Sequence, residues 1–396
     1  MKKALLVPAA AVSLMFLAGC DKGSLLDGSD VDYSESGYAE AGRTDGEGGG
    51  QDNGLAGKVT AGEWRDLDRW EFWGGLMTGE NFQSKSKYWS FYTNNRIAVE
   101  VVDAEGNAAA GVPISISRGG KTVWEAVTDH AGKADCWVAL YQYDGNVDAA
   151  GITLSVGGQA QDGSPAISPW DGDVTLNRVT LAAYKAPARK ADIAFIVDAT
   201  GSMGDEIRFL KDDLLDILKK TSAAQTDVAF RTGALFYRDE GDDYVTKSSD
   251  FGSFDKTIAF VKKQSANGGG DYPEAVHTAL RHALTDLAWD SDAPYKLAFM
   301  LLDAPTHHND DVIGSLHKSI SEFAARGIRL IPIAASGANK DTEFMLRFFA
   351  IATGGTYVFI TDDSGIGNPH IAASVGEYQV ELLNELIIRL IGEYTK

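Results

Sequence analysis

From Lys190 onward, apolar strand-like segments alternate with helical patterns, and this alternation constrains the fold more than any other feature. Such near-continuous apolar strands are typical of a parallel sheet covered by helices on both faces. The segment "YVTKSSDF" follows the second strand without a helix and predicts a short antiparallel edge. The fold class is therefore α/β, with a doubly wound, mostly parallel sheet. Strands are predicted at 192–197, 227–237, 296–302, 328–335 and 355–360, and helices at 204–220, 254–265, 273–288, 311–326, 341–352 and 374–394.

Oxygen-bearing side chains stand at three carboxyl ends of this predicted sheet. Asp198, Thr200 and Ser202 follow the apolar run "IAFIV", and Asp303 follows "KLAFMLL". The loop "NGGGDYPEA" offers Asp271 before a predicted helix. Ligands of open α/β sheets bind beyond the carboxyl ends of the strands, so these loops are the candidate functional site.

The chemistry of these side chains indicates a hard divalent cation. Two carboxylates on adjacent strands, Asp198 and Asp303, repel each other unless a cation or a proton lies between them. Carboxylate and hydroxyl oxygens are the ligands that Mg²⁺ and Ca²⁺ prefer, and the remaining positive charge could attract an acidic group of a partner. Ser202 alone is explained equally well as a helix cap, but the two aspartates together are not.

Residues 190–396 resemble a von Willebrand factor type A domain, and "DATGS" resembles its metal-ion-dependent adhesion site. The resemblance implies that Asp198, Thr200 and Ser202 are the metal residues of the first loop and Asp303 that of the third. The family commonly has serine at the position of Thr200, which keeps the hydroxyl. It commonly has threonine in the second loop, where this sequence offers Asp271 or nothing obvious. A carboxylate there could favour Ca²⁺ over Mg²⁺ or repel an acidic partner.

Three further side chains near these loops have two interpretations each. Asp239, in "YRDEGDDY", is a candidate to hydrogen-bond a metal-bound water, or part of a solvated acidic loop. His307 and His308, in "DAPTHHNDD", are candidate soft ligands or acid–base groups. A surface loop beside an acidic run explains the two histidines more simply.

Before Lys190, the pattern from Arg96 becomes period two, with Gly, Asn and Asp turns, and predicts an antiparallel β-sandwich. The run "VVDAEGNAAAGVPISIS…TDHAGKADCWVALY" resembles the carboxypeptidase-regulatory-like or transthyretin-like module, which implies spacing, stability or adhesion without catalysis. An aromatic-rich segment precedes it and is expected to complete a core or a domain join; a sugar-stacking surface is the alternative. Its tryptophans are Trp64, Trp70, Trp73 and Trp89.

The amino terminus predicts export. Lys2 and Lys3 precede an apolar stretch too short to span a bilayer, and "LAGC" resembles the lipobox of bacterial lipoproteins. That resemblance implies cleavage before Cys20 and lipidation of its thiol. Cys136 would then have no disulfide partner, and its strand-like surroundings predict a buried thiol.

The resulting organisation has five segments. They are a signal peptide at 1–19, a Gly/Asp/Ser-rich tether at 20–58, the aromatic-rich connecting segment at 59–94, the sandwich at 95–185 and the α/β domain at 190–396.

The net charge and the absence of common catalytic motifs argue against two classes of function, nucleic-acid binding and enzymatic catalysis. The formal net charge is −20, with 56 acidic against 36 basic residues and no basic cluster, which argues against nucleic acid as a partner. No G-x-S-x-G, H-E-x-x-H or Walker pattern occurs, so we expect no enzyme. The sequence predicts a lipid-anchored protein of the bacterial cell envelope, facing the periplasm or the cell surface, that binds an acidic protein ligand through its cation. The alternatives are a metal-dependent hydrolase, with His307 or Asp239 as base, and an envelope scaffold with a structural metal.

Overall fold

The apolar segments after Lys190 build most of an eight-stranded sheet in the computed structural model, which describes residues 57–170, 172–364 and 369–396. The strands are β1 (Thr60–Trp64), β2 (Arg96–Val102), β3 (Pro113–Arg118), β4 (Lys121–Val127), β5 (Lys133–Trp137), β6 (Ile152–Val156), β7 (Gln159–Ala160), β8 (Leu176–Thr180), β9 (Lys190–Asp198), β10 (Ala229–Tyr237), β11 (Thr246–Gly252), β12 (Tyr295–Leu302), β13 (Ile328–Ala334), β14 (Tyr357–Ile360) and β15 (Glu381–Leu382). The helices are α1 (Trp70–Thr78), α2 (Glu80–Trp89), α3 (Gly204–Ala224), α4 (Phe254–Val261), α5 (Val276–Thr285), α6 (Asp310–Ala325), α7 (Lys340–Thr353) and α8 (Leu383–Tyr394).

The large sheet has the order β11-β10-β9-β12-β13-β14-β1-β15. Five neighbouring strands of this sheet are parallel, in the order β10, β9, β12, β13 and β14. Strand β11 pairs antiparallel with β10. The predicted mostly parallel sheet with an antiparallel edge is therefore present. Strand β1, from the aromatic-rich segment, extends this sheet by pairing antiparallel with β14, which the local sequence pattern did not predict.

Both faces of the sheet are covered, because successive side chains of a strand point to opposite faces. In β9, Ile193, Phe195 and Val197 pack with the helices α3, α4 and α8. Ala194 and Ile196 pack on the other face, with α5, α6 and α7. The strands are consequently buried on both sides, as the continuous apolar runs predict.

Two predicted helices begin later than expected, for tertiary reasons. The helix predicted at 374–394 is formed only over α8, because Arg347 binds the carbonyl of Ser374 at 2.6 Å and β15 pairs with β1. The helix predicted at 273–288 begins at Val276, because the backbone N–H of Glu274 donates to the carbonyl of Pro305 at 2.9 Å. That bond ties the second loop of the site to the third.

The period-two region forms two small sheets, β5-β2-β8 and β4-β3-β6-β7. The prediction of a purely antiparallel sandwich is wrong in one pairing: β2 and β8 run parallel. The sandwich shares one continuous core with the α5–α7 face of the large sheet, and the Tyr141 hydroxyl lies 3.0 Å from the Ser321 hydroxyl of α6. Cys136 is buried in this core, and burial raises the pKa of its thiol well above its usual value.

The aromatic-rich segment is a structural element. Trp64, Trp70, Trp73 and Trp89 are all buried, which supports the core interpretation over a sugar-stacking surface. The Trp73 indole donates to the Thr93 hydroxyl at 2.7 Å.

The predicted signal peptide, the lipidation site Cys20 and the tether as far as residue 56 lie outside the described residues. Within the described ranges, no helix is long and apolar enough to cross a membrane.

Candidate cation-binding site

Two neighbouring parallel strands bring Asp198 and Asp303 to the same edge of the sheet. Asp198 is the last residue of β9, and Asp303 directly follows β12. The two strands are in register through Val197 and Leu301, so both carboxylates emerge beside each other. Both side chains are buried.

Thr200 fixes one half of the Asp198 carboxylate. Its backbone N–H and its hydroxyl donate to Oδ1 of Asp198 at 2.9 and 2.8 Å. Oδ2 of Asp198 is fully buried and has no hydrogen-bond partner among the described residues. Because an unsatisfied buried carboxylate oxygen is costly, this atom is suited to a cation or a proton.

The Asp198 environment favours the neutral form when no cation is present. Burial and the nearby charge of Asp303 raise the pKa of Asp198 to about 7, against the hydrogen bonds from Thr200 and the nearby Tyr237 hydroxyl, which lower it. Tyr237, the last residue of β10, is buried beside Asp198, and burial raises the pKa of its phenol well above the usual value. A divalent cation would reverse this preference by stabilising the carboxylate charge.

Ser202 and Glu206 flank Asp303. Burial raises the pKa of Asp303 to about 6, while a hydrogen bond with the Ser202 side chain lowers it and the charge of Glu206 raises it. Glu206, in the first turn of α3, accepts from the Ser336 backbone at 3.1 Å and from its hydroxyl at 2.5 Å. Oε2 of Glu206 has no partner within the described chain.

Glu274 is, with Glu206, an acidic side chain of this site that sequence reasoning missed. It is buried, and Oε2 finds no hydrogen-bond partner in the described ranges. Burial and the charges of Asp198, Asp239, Asp303 and Asp242 raise the pKa of Glu274 to about 9. The available signal was a glutamate directly after Pro273, a place where an acidic residue usually only favours a helix start.

A glycine-rich loop brings Glu274 to the first loop. The backbone N–H of Gly201 donates to the carbonyl of Gly268 at 3.0 Å. A Cβ atom on Gly269 would lie 3.0 Å from Oε1 of Glu274 and 3.2 Å from Cβ of Thr200. Gly268 and Gly269 have φ values of +82° and +75°, which only glycine adopts readily.

Asp271 is placed differently from Glu274. Its side chain is exposed, and the neighbouring Tyr272 is also exposed, although its hydroxyl reaches the third loop. The Tyr272 hydroxyl donates to the backbone carbonyl of Asp303 at 3.0 Å and lies 3.1 Å from the hydroxyl of Thr342. The second loop therefore meets the third through Tyr272 and Glu274.

Asp239 and His307 form a pair at the border of the site. Nε2 of His307 lies 2.6 Å from Oδ1 of Asp239, which is buried. His308 points elsewhere: its Nε2 lies 2.7 Å from the carbonyl of Tyr88, and its ring stacks on the Tyr88 ring at 3.6 Å. The two consecutive histidines thus contact different regions: His307 contacts Asp239 at the border of the site, and His308 contacts Tyr88 of α2.

The donor set at this edge consists of carboxylate and hydroxyl oxygens, which suits Mg²⁺ or Ca²⁺. No group of three or more His, Cys, Asp or Glu side chains in the described residues is arranged to hold a metal ion by itself. A cation would therefore depend on the hydroxyls as well as on Asp198 and Asp303. The buried, unpartnered Oδ2 of Asp198 is the observation that fits such an ion best.

The fold and these strand-end loops define a class of domain. Residues 192–347 match the family model of the von Willebrand factor A domain. This part of the chain is accordingly a von Willebrand factor A domain.

Two curated proteins are similar to less than half of the chain. The putative ariadne-like RING finger protein R811 of Acanthamoeba polyphaga mimivirus is 30% identical over 186 residues, which cover 43% of this chain and 18% of that protein. The collagen alpha-6(VI) chain of Homo sapiens is 24% identical over 151 residues, covering 37% of this chain and 6% of the collagen chain. The chain thus spans less than a fifth of the length of these curated relatives.

Solved structures also overlap with about half of the chain. The pilus adhesin SpaC from Lactobacillus rhamnosus GG matches 52% of this chain and 31% of its own, with 11% identity and a TM-score of 0.39. Proximal thread matrix protein 1 from the mussel byssus matches 52% of this chain and 47% of its own, with 15% identity and a TM-score of 0.36.

Proposed function

We propose that this chain is a cell-envelope binding protein whose von Willebrand factor A domain holds a divalent cation, and that the cation binds an acidic group of a protein ligand. The observation that carries the proposal is Oδ2 of Asp198, buried and unpartnered among the described residues, next to the carboxylate of Asp303. A bound cation would neutralise both charges and still have ligand positions to share.

In this proposal Asp198, Thr200, Ser202 and Asp303 hold the cation. Glu274 takes the place that the sequence suggested for Asp271, because Glu274 is buried with an unpartnered carboxylate oxygen among the described residues, whereas Asp271 is exposed. A third carboxylate near the ion favours Ca²⁺, which accepts more oxygen ligands than Mg²⁺ and tolerates irregular geometry. The bound cation supplies the positive charge that attracts an acidic ligand to an otherwise acidic edge.

The proposed location rests on the amino-terminal sequence. Lipidation of Cys20 would anchor the chain to a membrane, and the segment 20–58 would hold the folded part away from the lipid. The strongly negative net charge of −20 argues against nucleic acid as the partner.

Calorimetric titration of the purified full chain with MgCl₂ and CaCl₂, followed by capture of envelope proteins with and without EDTA, tests the proposal. We expect saturable binding of one cation, capture that EDTA abolishes, and loss of both in Asp198→Ala. Asp271→Asn is the matched control, because it removes an exposed carboxylate from the same edge. Capture that ignores EDTA and Asp198→Ala would overturn the proposal.

The contact of His307 with Asp239 favours one second candidate, a metal-dependent hydrolase. A carboxylate-bound histidine beside a cation could accept a proton from a metal-bound water. Turnover of p-nitrophenyl acetate or p-nitrophenyl phosphate that requires the cation and is lost in His307→Gln would favour this candidate. Absence of turnover in the cation-loaded protein would exclude it for these substrate classes.

A further inference from the structure

A cleft lies at the opposite edge of the large sheet from the cation site. Its volume is about 820 Å³, within the range of small-molecule sites. Lys190 and Lys296, near the amino ends of β9 and β12, line it, and Pro113 and Val127 of the sandwich form part of its wall. The cleft is thus bounded by both β regions and by the linker between them.

Lys296 is the unusual residue of this cleft. Its side chain lines the cleft, yet only 8% of the residue is exposed. Burial lowers the pKa of its ammonium group, although the charges of Asp192 and Asp290 oppose that shift. None of the described residues gives this ammonium group a hydrogen bond or an ion pair, and a buried cation is rarely left so.

The nearest acidic neighbours of Lys296 are already engaged. Asp192, its register partner in β9, receives two hydrogen bonds from Arg231 at 2.8 and 2.6 Å. Asp192 also accepts the backbone N–H of Asp290 at 2.7 Å. The carboxylate of Asp290 lies 3.2 Å from Nζ of Lys190. Asp192 and Asp290 therefore pair with other cations, and no carboxylate of the described residues forms an ion pair with the Lys296 ammonium group.

The rest of the lining is cationic and apolar. Lys185, in the linker, is exposed and forms no ion pair with any residue that the structure describes. Arg326, at the end of α6, also lines the cleft but is already paired with Glu322, and Asp292 is the acidic side chain in the lining. Trp289 and Pro294 supply apolar surface. This excess of positive charge is notable in a chain with a net charge of −20.

We propose that this cleft binds a small organic anion, whose carboxylate or phosphate group pairs with Lys296 and Lys185 and whose apolar body packs on Trp289. The anion supplies the partner that Lys296 lacks, and the aromatic and proline surface gives it hydrophobic contact. This site is separate from the cation site and does not depend on the function proposed for it.

Calorimetric titration of the full chain with phenylacetate and with phenyl phosphate tests the proposal and distinguishes the two head groups. We expect one saturable site. The probe with the lower Kd identifies whether the cleft prefers a carboxylate or a phosphate group. Lys296→Met should weaken binding about thirtyfold or more, because one partner of a buried charge pair is removed. Lys185→Met should weaken it up to about fivefold, as expected for an exposed pair. Lys318→Met, which removes an exposed lysine of α6 outside the cleft, is the charge-matched control and should change nothing.

The proposal is overturned if the native chain binds neither probe, or if Lys296→Met binds as tightly as the native chain. Circular dichroism establishes whether Lys296→Met is folded. Should it not fold, the comparison of Lys185→Met with Lys318→Met decides: weaker binding in the first alone supports the cleft, and equal binding in both rejects it.

Discussion

Thr200 donates both its backbone N–H and its hydroxyl to a single oxygen of Asp198, and so leaves the other oxygen of that buried carboxylate without a partner among the described residues. Such an arrangement orients a charge without neutralising it. The protein without a cation should therefore be destabilised by the same groups that give it affinity for one.

The first prediction concerns Asp198→Asn. In EDTA at a pH above about 7, where Asp198 is ionised, the variant should unfold at a higher temperature than the native chain, because it removes a buried, uncompensated carboxyl charge. Added Mg²⁺ or Ca²⁺ should stabilise the native chain by about 2.7 kcal/mol at a hundredfold excess over Kd and should leave the variant unchanged. Thermal unfolding with and without each cation measures both effects. If the cation stabilises the variant as much as the native chain, the Asp198 carboxylate does not bind the cation.

The second prediction concerns pH. Burial and Asp303 raise the pKa of Asp198 from 3.8 to about 7, so between these values the folded protein keeps a proton that the unfolded chain has released. Stability in EDTA should consequently fall as pH rises, by about 1.4 kcal/mol per pH unit for this carboxyl. Urea unfolding at pH 5 and pH 7 measures it as the difference between the native chain and Asp198→Asn.

The difference between the two proteins isolates the contribution of Asp198 from that of groups whose contribution to stability changes with pH in the opposite direction. Burial lowers the pKa values of His130, His277 and His317, so these histidines add stability as pH rises, but they do so in both proteins. Saturating Mg²⁺ should abolish the difference in slope. Parallel pH dependences of the two proteins in EDTA would contradict the environment described for Asp198.

The third prediction identifies the carboxylate of the second loop. Glu274→Gln keeps the shape of the side chain and removes its charge, and it should weaken cation binding about tenfold, because affinity follows the number of charged ligands. Asp271→Asn removes an exposed charge three residues away and should leave affinity within about twofold. Calorimetric titration with CaCl₂ compares them. The reverse order of effects would assign the role to Asp271.

The fourth prediction concerns the loop that carries Glu274. Gly268 has φ +82°, and a Cβ atom there would lie 2.4 Å from Oδ1 of Asp242. Gly268→Ala should cost about 1–3 kcal/mol of unfolding free energy and also weaken cation binding, because the strained loop would shift Glu274. Gly270→Ala is the control, since a Cβ at that position meets no atom within 4 Å. Equal unfolding midpoints of Gly268→Ala and Gly270→Ala in urea would show that the loop accommodates an alanine at position 268.

The fifth prediction concerns the join between β1 and the von Willebrand factor A domain. Arg347 of α7 and Asp66 are both buried and form two hydrogen bonds, at 2.9 and 2.6 Å. Arg347→Met should cost about 3–5 kcal/mol, because it leaves the Asp66 charge buried and unpaired. Arg118→Met breaks the exposed pair with Asp144 and should cost less than about 1 kcal/mol. Urea unfolding that finds similar costs for both would reject a special role for the buried pair.

The sequence was most informative where structure is local. The run from Asp192 to Val197 predicts a strand buried on both faces, and that strand lies within β9. The alternation of strands and helices predicts the parallel sheet, whose carboxyl edge then brings Asp198 and Asp303 together. The helix predicted from residue 374 fails because Arg347 holds the backbone of Ser374, a contact between residues 27 positions apart.

What the sequence by itself determined is which segments are strands and which strand ends carry oxygen ligands, because periodicity and residue type act over a few neighbours. The tertiary structure alone decided that β1 extends the sheet beside β14, that Glu274 is buried whereas Asp271 is exposed, and that Lys296 is largely buried without a hydrogen bond or ion pair among the described residues. Each of these depends on which distant backbone a loop or strand packs against, and a long-range contact leaves no mark in the local pattern of the residues that make it.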